Sequence, residues 1–298
     1  MNLYLPAIDP VIFSLSIGSI NFELRWYAVA YVVGLLIAWK TMTVISRKGS
    51  LWPNSFSPIN SANVDDLMTL LILGVILGGR LGYVCFYQPL FYLSNPVEIF
   101  KVWNGGMSFH GGFIGVVIGT IIYARKNNVS VISLGDLVAV ASPPGLFLGR
   151  VANFINGELW GIPTKSSLGV LFSSPSSQIC PDDWDGTCTR HPSQLYEACL
   201  EGILLWVIML IGLKFFKTLK RKGQNIAIFL IGYGVSRAAV EFFREPDPQF
   251  VTATNPEGYI LSINDYFGLS MGQLLSAPMI MVGVLILFSI YFVKSERK

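Results

Sequence analysis

Charge is what this chain has least of. Of its 298 residues, 13% are Asp, Glu, Lys or Arg, where ordinary soluble domains carry roughly 25%. So few charges cannot cover a globular surface in water, which argues against a soluble enzyme or binding module. The net formal charge of +3 is too mild for a polyanionic partner, so no nucleic acid is expected. Histidines number two and cysteines four (Cys85, Cys180, Cys188, Cys199), too few for a disulfide scaffold and without metal-ligand spacing. No P-loop or dinucleotide fingerprint occurs, so neither metal nor cofactor is expected. What is abundant is apolar: 52% of residues are hydrophobic and mean hydropathy is +0.56. That composition suits side chains facing lipid tails.

Apolar runs near the ~20 residues needed to cross a bilayer fall at 26–46, 66–86, 108–124, 133–156, 196–216, 225–243 and 270–293. The expectation is an all-α integral membrane protein with seven transmembrane helices in a single polytopic domain, 1–298. The third run is short, and Pro143 and Pro144 should kink the fourth. The first run follows 25 residues that lack a basic lead-in and a small-residue cleavage site, so it reads as a helix that is retained. Basic residues gather in alternate connections: Arg47 and Lys48; Arg125 and Lys126; Lys214, Lys217, Lys220, Arg221 and Lys222; Lys294, Arg297 and Lys298. Those sides are read as cytoplasmic, which places the N-terminus outside and the C-terminus in the cytoplasm. The outer segments, about 1–25, 87–107, 157–195 and 244–269, are rich in turn residues and aromatics and are expected to build a cap from loops. In the first of them Phe13, Leu15 and Ile17 alternate with Ser14, Ser16 and Gly18, the period of a strand-like arm.

Charges in a hydrocarbon layer are costly unless paired or hydrated, so their positions point to function. With this orientation Arg80, His110, Arg150 with Glu158, and Arg237 with Glu241 and Arg244 fall at the outer ends of four different crossings. One polar pocket opening to the outer leaflet would hold them all. Arg237, Glu241 and Arg244 stand at i, i+4 and i+7, on one helical face with Tyr233 a turn deeper, and Arg150 shares a face with Asn153. Arginines from two helices can grip a phosphodiester or carboxylate through bidentate bonds while Glu158 and Glu241 hold them in place. An anionic headgroup is the natural guest. The alternative is a polytopic transporter of an anionic or lipid-like solute, whose signature would be charge threaded through the full depth; the inner halves carry almost none. An intramembrane hydrolase would need a Ser and His, paired Asp, or a zinc cluster, and none is evident.

Plainer readings stand beside these. Arg237 with Glu241 is also what a packing ion pair looks like, and Arg25 and Arg244 suit interface anchors. His110, just before Gly111, Gly112 and Gly115, suits a polar cap on a glycine-faced helix. Glu197 and Glu201 read as local caps or pairs, His191 as part of a helix entry, and Asp65, Asp66 and Asp136 as partners of helix N-termini. Cys85 and Cys199 read as buried apolar fillers.

Four blocks carry a family resemblance. Residues 149–161, Gly-Arg-Val-Ala-Asn-Phe-Ile-Asn-Gly-Glu-Leu-Trp-Gly, resemble the signature of bacterial prolipoprotein diacylglyceryl transferases. Residues 104–112 around His110, 191–197 (His-Pro-Ser-Gln-Leu-Tyr-Glu) and 237–247 resemble further blocks of that family in the same order, and Arg25-Trp26-Tyr27 fits its first helix. The resemblance runs from about residue 10 to the last helix. It implies transfer of the diacylglyceryl group of phosphatidylglycerol to the lipobox cysteine of a prolipoprotein, in the bacterial cytoplasmic (inner) membrane among its lipids, with release of glycerol 1-phosphate. It also implies roles: Arg150 and Arg237 on the headgroup and leaving phosphate, Asn153 and Glu158 orienting headgroup or Arg150, and Glu241 holding Arg237. His110 is the implied base, because an ordinary imidazole pKa of ~6.5 suits proton transfer at neutral pH; Glu158 or Glu241 is the alternative acceptor. Tyr27, Tyr233, Arg244, Gly105 and Gly161 are the further pocket residues. Cys180 and Cys188 lie outside the resemblance, and a disulfide between them is the expectation for an oxidising outer compartment.

Overall fold

The structure, a computed structural model, describes residues 3, 4, 8–17, 20–181, 184, 186–252, 254–264 and 267–293. Gly18 and the basic tail Lys294, Arg297 and Lys298 lie outside the described residues. The protein is mostly helical. Six helices are long and apolar enough to cross a membrane: Trp26–Arg47, Ser61–Phe86, Val131–Ile155, Ser193–Phe216, Gln224–Phe243 and Met271–Phe292. The short third run is also a helix, Phe109–Lys126 of 18 residues, but its glycines and its closing Arg125 and Lys126 dilute its apolar character and keep it out of that set. At Ser142 the fourth run breaks, and Pro143 and Pro144 open a new helix in the first-turn position that suits a residue without an N–H.

Contacts divide the chain into two compact units, 39–139 with 217–223, and 1–38 with 140–216 and 224–298. In the 39–139 unit the helices Val64–Phe86 and Phe109–Lys126 meet backbone to backbone through glycines. A Cβ on Gly115 would lie 1.9 Å from the Gly74 carbonyl oxygen, and one on Gly111 2.2 Å from that of Gly78. Such close packing is how small residues join helices where lipid removes the hydrophobic drive. Asp65 and Asp66 lie in the first turn of their helix, as expected. Asp136 does not: it sits inside the helix Val131–Ala141, buried, and accepts a hydrogen bond of 2.6 Å from the Gly223 amide.

In the other unit the alternating arm is a strand, Val11–Ile17, paired antiparallel with Ile20–Arg25. Arg25 is tied to Glu23 at 2.7 Å. The connection between Ile155 and Ser193 is irregular and is stitched by bridges of Arg190 to Pro163 and Val170 and of Gly161 to Arg244. It also holds the disulfide Cys180–Cys188, with a Cα separation of 5.8 Å. Cys85 and Cys199 are exposed on their helices, not buried; on a helix bathed in lipid an apolar position need not be an interior one.

Candidate functional site

A fully buried carboxylate organises the site. Glu197 sits at the start of the helix Ser193–Phe216 with no exposed side-chain surface, and three guanidinium groups reach it. Arg244 Nη1 donates to Oε1 at 2.9 Å, Arg237 Nη1 donates to the same oxygen, and Arg150 Nε lies 3.1 Å from Oε2. Glu201, equally buried, lies 3.7 Å from Arg150. The two glutamates, one turn apart, face the same side of a helix that runs as a π turn over Ala198–Leu204. Sequence reading gave both glutamates a local role; instead they join Arg150 on the helix Pro143–Ile155 to Arg237 and Arg244 at the end of Gln224–Phe243.

Glu241 completes the cluster. It lies 3.2 Å from Arg237 and 3.3 Å from Arg244, and its other oxygen accepts from Ser270 Oγ at 3.1 Å. Ser270 is the N-cap of the helix Met271–Phe288, so Glu241 rests where the helix dipole favours negative charge. Gly272 makes room for it, since a Cβ there would fall 2.5 Å from the carboxylate. Of the arginine–carboxylate contacts among the described residues, those of Arg237 and Arg244 to Glu197 Oε1 have hydrogen-bond geometry. Glu197 Oε2, Glu241 Oε2 and Arg244 Nε sit in ion pairs without a hydrogen bond, and the Glu201 carboxylate, 3.7 Å from Arg150 through Oε2, accepts none. The guanidinium groups are thus held near carboxylates without being saturated by them. The arginine side chains keep 20%, 17% and 11% exposure for Arg150, Arg237 and Arg244, while Glu197 and Glu201 keep none. Glu197 and Glu201 form the inner layer, and the guanidinium groups, with Glu241 at 12%, the accessible one. Tyr233, buried, stands against Arg150.

A second knot belongs to the same unit. The Tyr27 hydroxyl donates to Glu158 Oε1 and accepts from Asn153 Nδ2, and Asn153 and Asn156 also reach Glu158 Oε1 at 3.4 Å each. Glu158 therefore engages Tyr27 and Asn153, not Arg150. Gly161 is buried where a Cβ would meet the Phe243 carbonyl at 2.1 Å, so its lack of a side chain serves a backbone crossing. Beside it His191 packs on Tyr196 and Phe243, and burial pushes its imidazole below the usual range.

The remaining expected residues lie in the 39–139 unit. His110 is exposed in the first turn of Phe109–Lys126, behind the N-cap Ser108, and Gly105 is exposed in the loop before it. Arg80 has spent every donor: Ile99 O at 2.9 Å, Gly105 O at 2.5 Å, Gly106 O at 3.2 Å, Glu98 O at 2.6 Å and Lys101 O at 3.2 Å. A guanidinium with five N–H groups and five carbonyl partners shapes that loop and has nothing left for a guest. Glu197 and Glu201 carried a usable signal all along, as two acids four apart inside an apolar helix.

Comparison with known proteins agrees with these blocks. Residues 10–289 match the sequence model of the family described as prolipoprotein diacylglyceryl transferase. A phosphatidylglycerol–prolipoprotein diacylglyceryl transferase of Ruegeria pomeroyi is 51% identical over 282 residues, covering 95% of this chain and 95% of the relative. One of Cereibacter sphaeroides is 50% identical over 98% of this chain and 97% of its own length. One of Caulobacter vibrioides is 42% identical over 93% and 92%.

Proposed function

Since the chain belongs to the prolipoprotein diacylglyceryl transferase family, we propose that the arginine–glutamate cluster is where it holds the phosphate of its lipid donor. The protein is a transferase of bacterial lipoprotein maturation: it moves the diacylglyceryl group of phosphatidylglycerol onto the cysteine thiol of a prolipoprotein lipobox. The cysteine sulfur forms a bond to the glycerol carbon, the carbon–oxygen bond to phosphate breaks, and glycerol 1-phosphate leaves with the electron pair. The thiol proton must go to a base, because a free thiol of pKa ~8.5 is mostly protonated at neutral pH.

The observation that carries the reading is the layered cluster. Three guanidinium groups carry fifteen N–H donors between them, against six contacts to carboxylates. Donors fixed in place before reaction lower the barrier most where charge develops, here on the departing phosphate. Arg150 and Arg237 take the headgroup, with Arg244 beside them; Glu197, Glu201 and Glu241 keep them aimed. Tyr27, Asn153 and Glu158 orient the glycerol part through hydrogen bonds, and Tyr233 lines the cluster. His110 takes the thiol proton, on its chemistry. Gly161 and Gly105 serve through backbone shape.

The same proposal keeps seven crossings, counting Phe109–Lys126, in one polytopic domain of the bacterial cytoplasmic membrane, with the N-terminus outside, the C-terminus inside and the outer segments as a cap. The alternation of basic connections supports it. The test is purified protein with phosphatidylglycerol and a lipobox peptide, scored by mass for the diacylglyceryl adduct. Arg150→Ala and Arg237→Ala should insert normally and make no adduct; full activity in either removes that arginine from the headgroup site.

A further inference from the structure

The turn that presents Glu158 is held in an unfavourable backbone conformation. Gly157 has φ +65° and Leu159 φ +55°, a left-handed value that costs a residue with a side chain about 1 kcal/mol or more. Nothing in the sequence of the turn explains how Leu159 stays there. Its neighbours do. Gln194 Nε2 donates to the Glu158 carbonyl at 2.5 Å, and Ser193 Oγ donates to the Leu159 carbonyl at 3.0 Å. The Gly161 amide donates to the His191 carbonyl at 2.8 Å, and Arg190 Nη1 donates to the Gly161 carbonyl at 3.2 Å. Gln194 and Ser193 are fully buried, as is Arg190, which is stacked 4.1 Å over the Trp160 ring.

We propose that Ser193 and Gln194 are positioning residues for the transfer: they clamp the 157–161 turn so that the Glu158 carboxylate meets Tyr27 and Asn153. The clamp needs both elements. The Glu158 amide is already bound to the Asn153 carbonyl at 3.1 Å, so the helix end fixes one side of the turn, and the Ser193–Gln194 side chains fix the other. Without the second side, Leu159 relaxes to an ordinary φ and the Glu158 side chain swings with it. This inference rests on Glu158 having a role in the reaction.

Gln194→Met keeps the shape of the side chain and removes its donor. It should lower kcat/KM for phosphatidylglycerol about tenfold, what the loss of one hydrogen bond made by the displaced Glu158 carboxylate predicts, while membrane insertion stays native. Adding Leu159→Gly, which makes the left-handed conformation free of cost, should restore most of the loss; a contact that does not act through the turn's backbone conformation would not be repaired by a glycine at that position. Ser193→Ala is the second variant and should behave in the same direction should Gln194→Met fail to fold. Native activity in both single variants, or a Gln194→Met, Leu159→Gly double variant no better than Gln194→Met, overturns the clamp. Failure of the underlying reading looks different: Glu158→Gln with native activity removes Glu158 from the reaction whatever the clamp variants do.

Discussion

Glu197→Gln is the sharpest perturbation of the cluster. Counted as ionised, Arg150, Arg237 and Arg244 balance Glu197, Glu201 and Glu241, and the substitution leaves one positive charge in excess. Breaking a buried ion pair costs about 3–5 kcal/mol. The lower end applies here, because the amide oxygen can still accept from one guanidinium and the arginines are partly exposed. The thermal midpoint of the detergent-solubilised protein should therefore fall. For catalysis, a hydrogen bond to a charged group contributes about 1.5–3 kcal/mol, and each 1.4 kcal/mol is a factor of ten in rate. Loss of the alignment of one arginine predicts a fall in kcat of about 10- to 100-fold. KM for phosphatidylglycerol should stay level or drop, because the added positive charge attracts the phosphate. The assay is adduct formation by mass over a range of lipid concentration, with Glu197→Asp as an intermediate case. Native kcat at a native midpoint would refute the hub, and a rise in KM alone would refute its role in aiming the arginines.

Other outcomes follow from the same geometry. Tyr27→Phe removes the hydroxyl shared by Asn153 and Glu158 and should cost about 10- to 100-fold in kcat/KM, measured in the same assay. Gly272→Ala places a Cβ 2.5 Å from the Glu241 carboxylate; it should displace Glu241 from Arg237 and reduce activity, and Gly283→Ala, which crowds Ile231 at 2.7 Å and the Ala227 carbonyl at 3.0 Å instead of the cluster, should cost activity far less. His110→Gln should slow thioether formation more than lipid binding, and equal slowing of both steps would deny it the base role. Reducing Cys180–Cys188, eight residues apart, should loosen its loop by about 2–3 kcal/mol; alkylation with and without reductant, read by mass, should report two thiols only after reduction.

The membrane character and nearly every helix were legible in the sequence because hydropathy is a local property, summed over the twenty or so residues that a bilayer samples. The strand-like arm at 11–17 was legible for the same reason, being a period-two pattern in one short stretch. The arginines Arg150, Arg237 and Arg244 stood out because a charge in lipid is costly wherever its helix turns. What they pair with was decided only in three dimensions. Glu197 looked like a local cap or pair, yet the packing of its helix brings it to arginines 40 and 47 residues away. Glu158, expected to orient the headgroup or Arg150, bonds Tyr27, 131 residues distant. Arg80 looked like a member of the same pocket and is consumed by loop carbonyls, which no side-chain pattern announces. Burial cost is written residue by residue, so sequence reveals which groups need a partner; the partner depends on how helices turn about their axes and how connecting turns are held, and that is settled by packing across the whole chain.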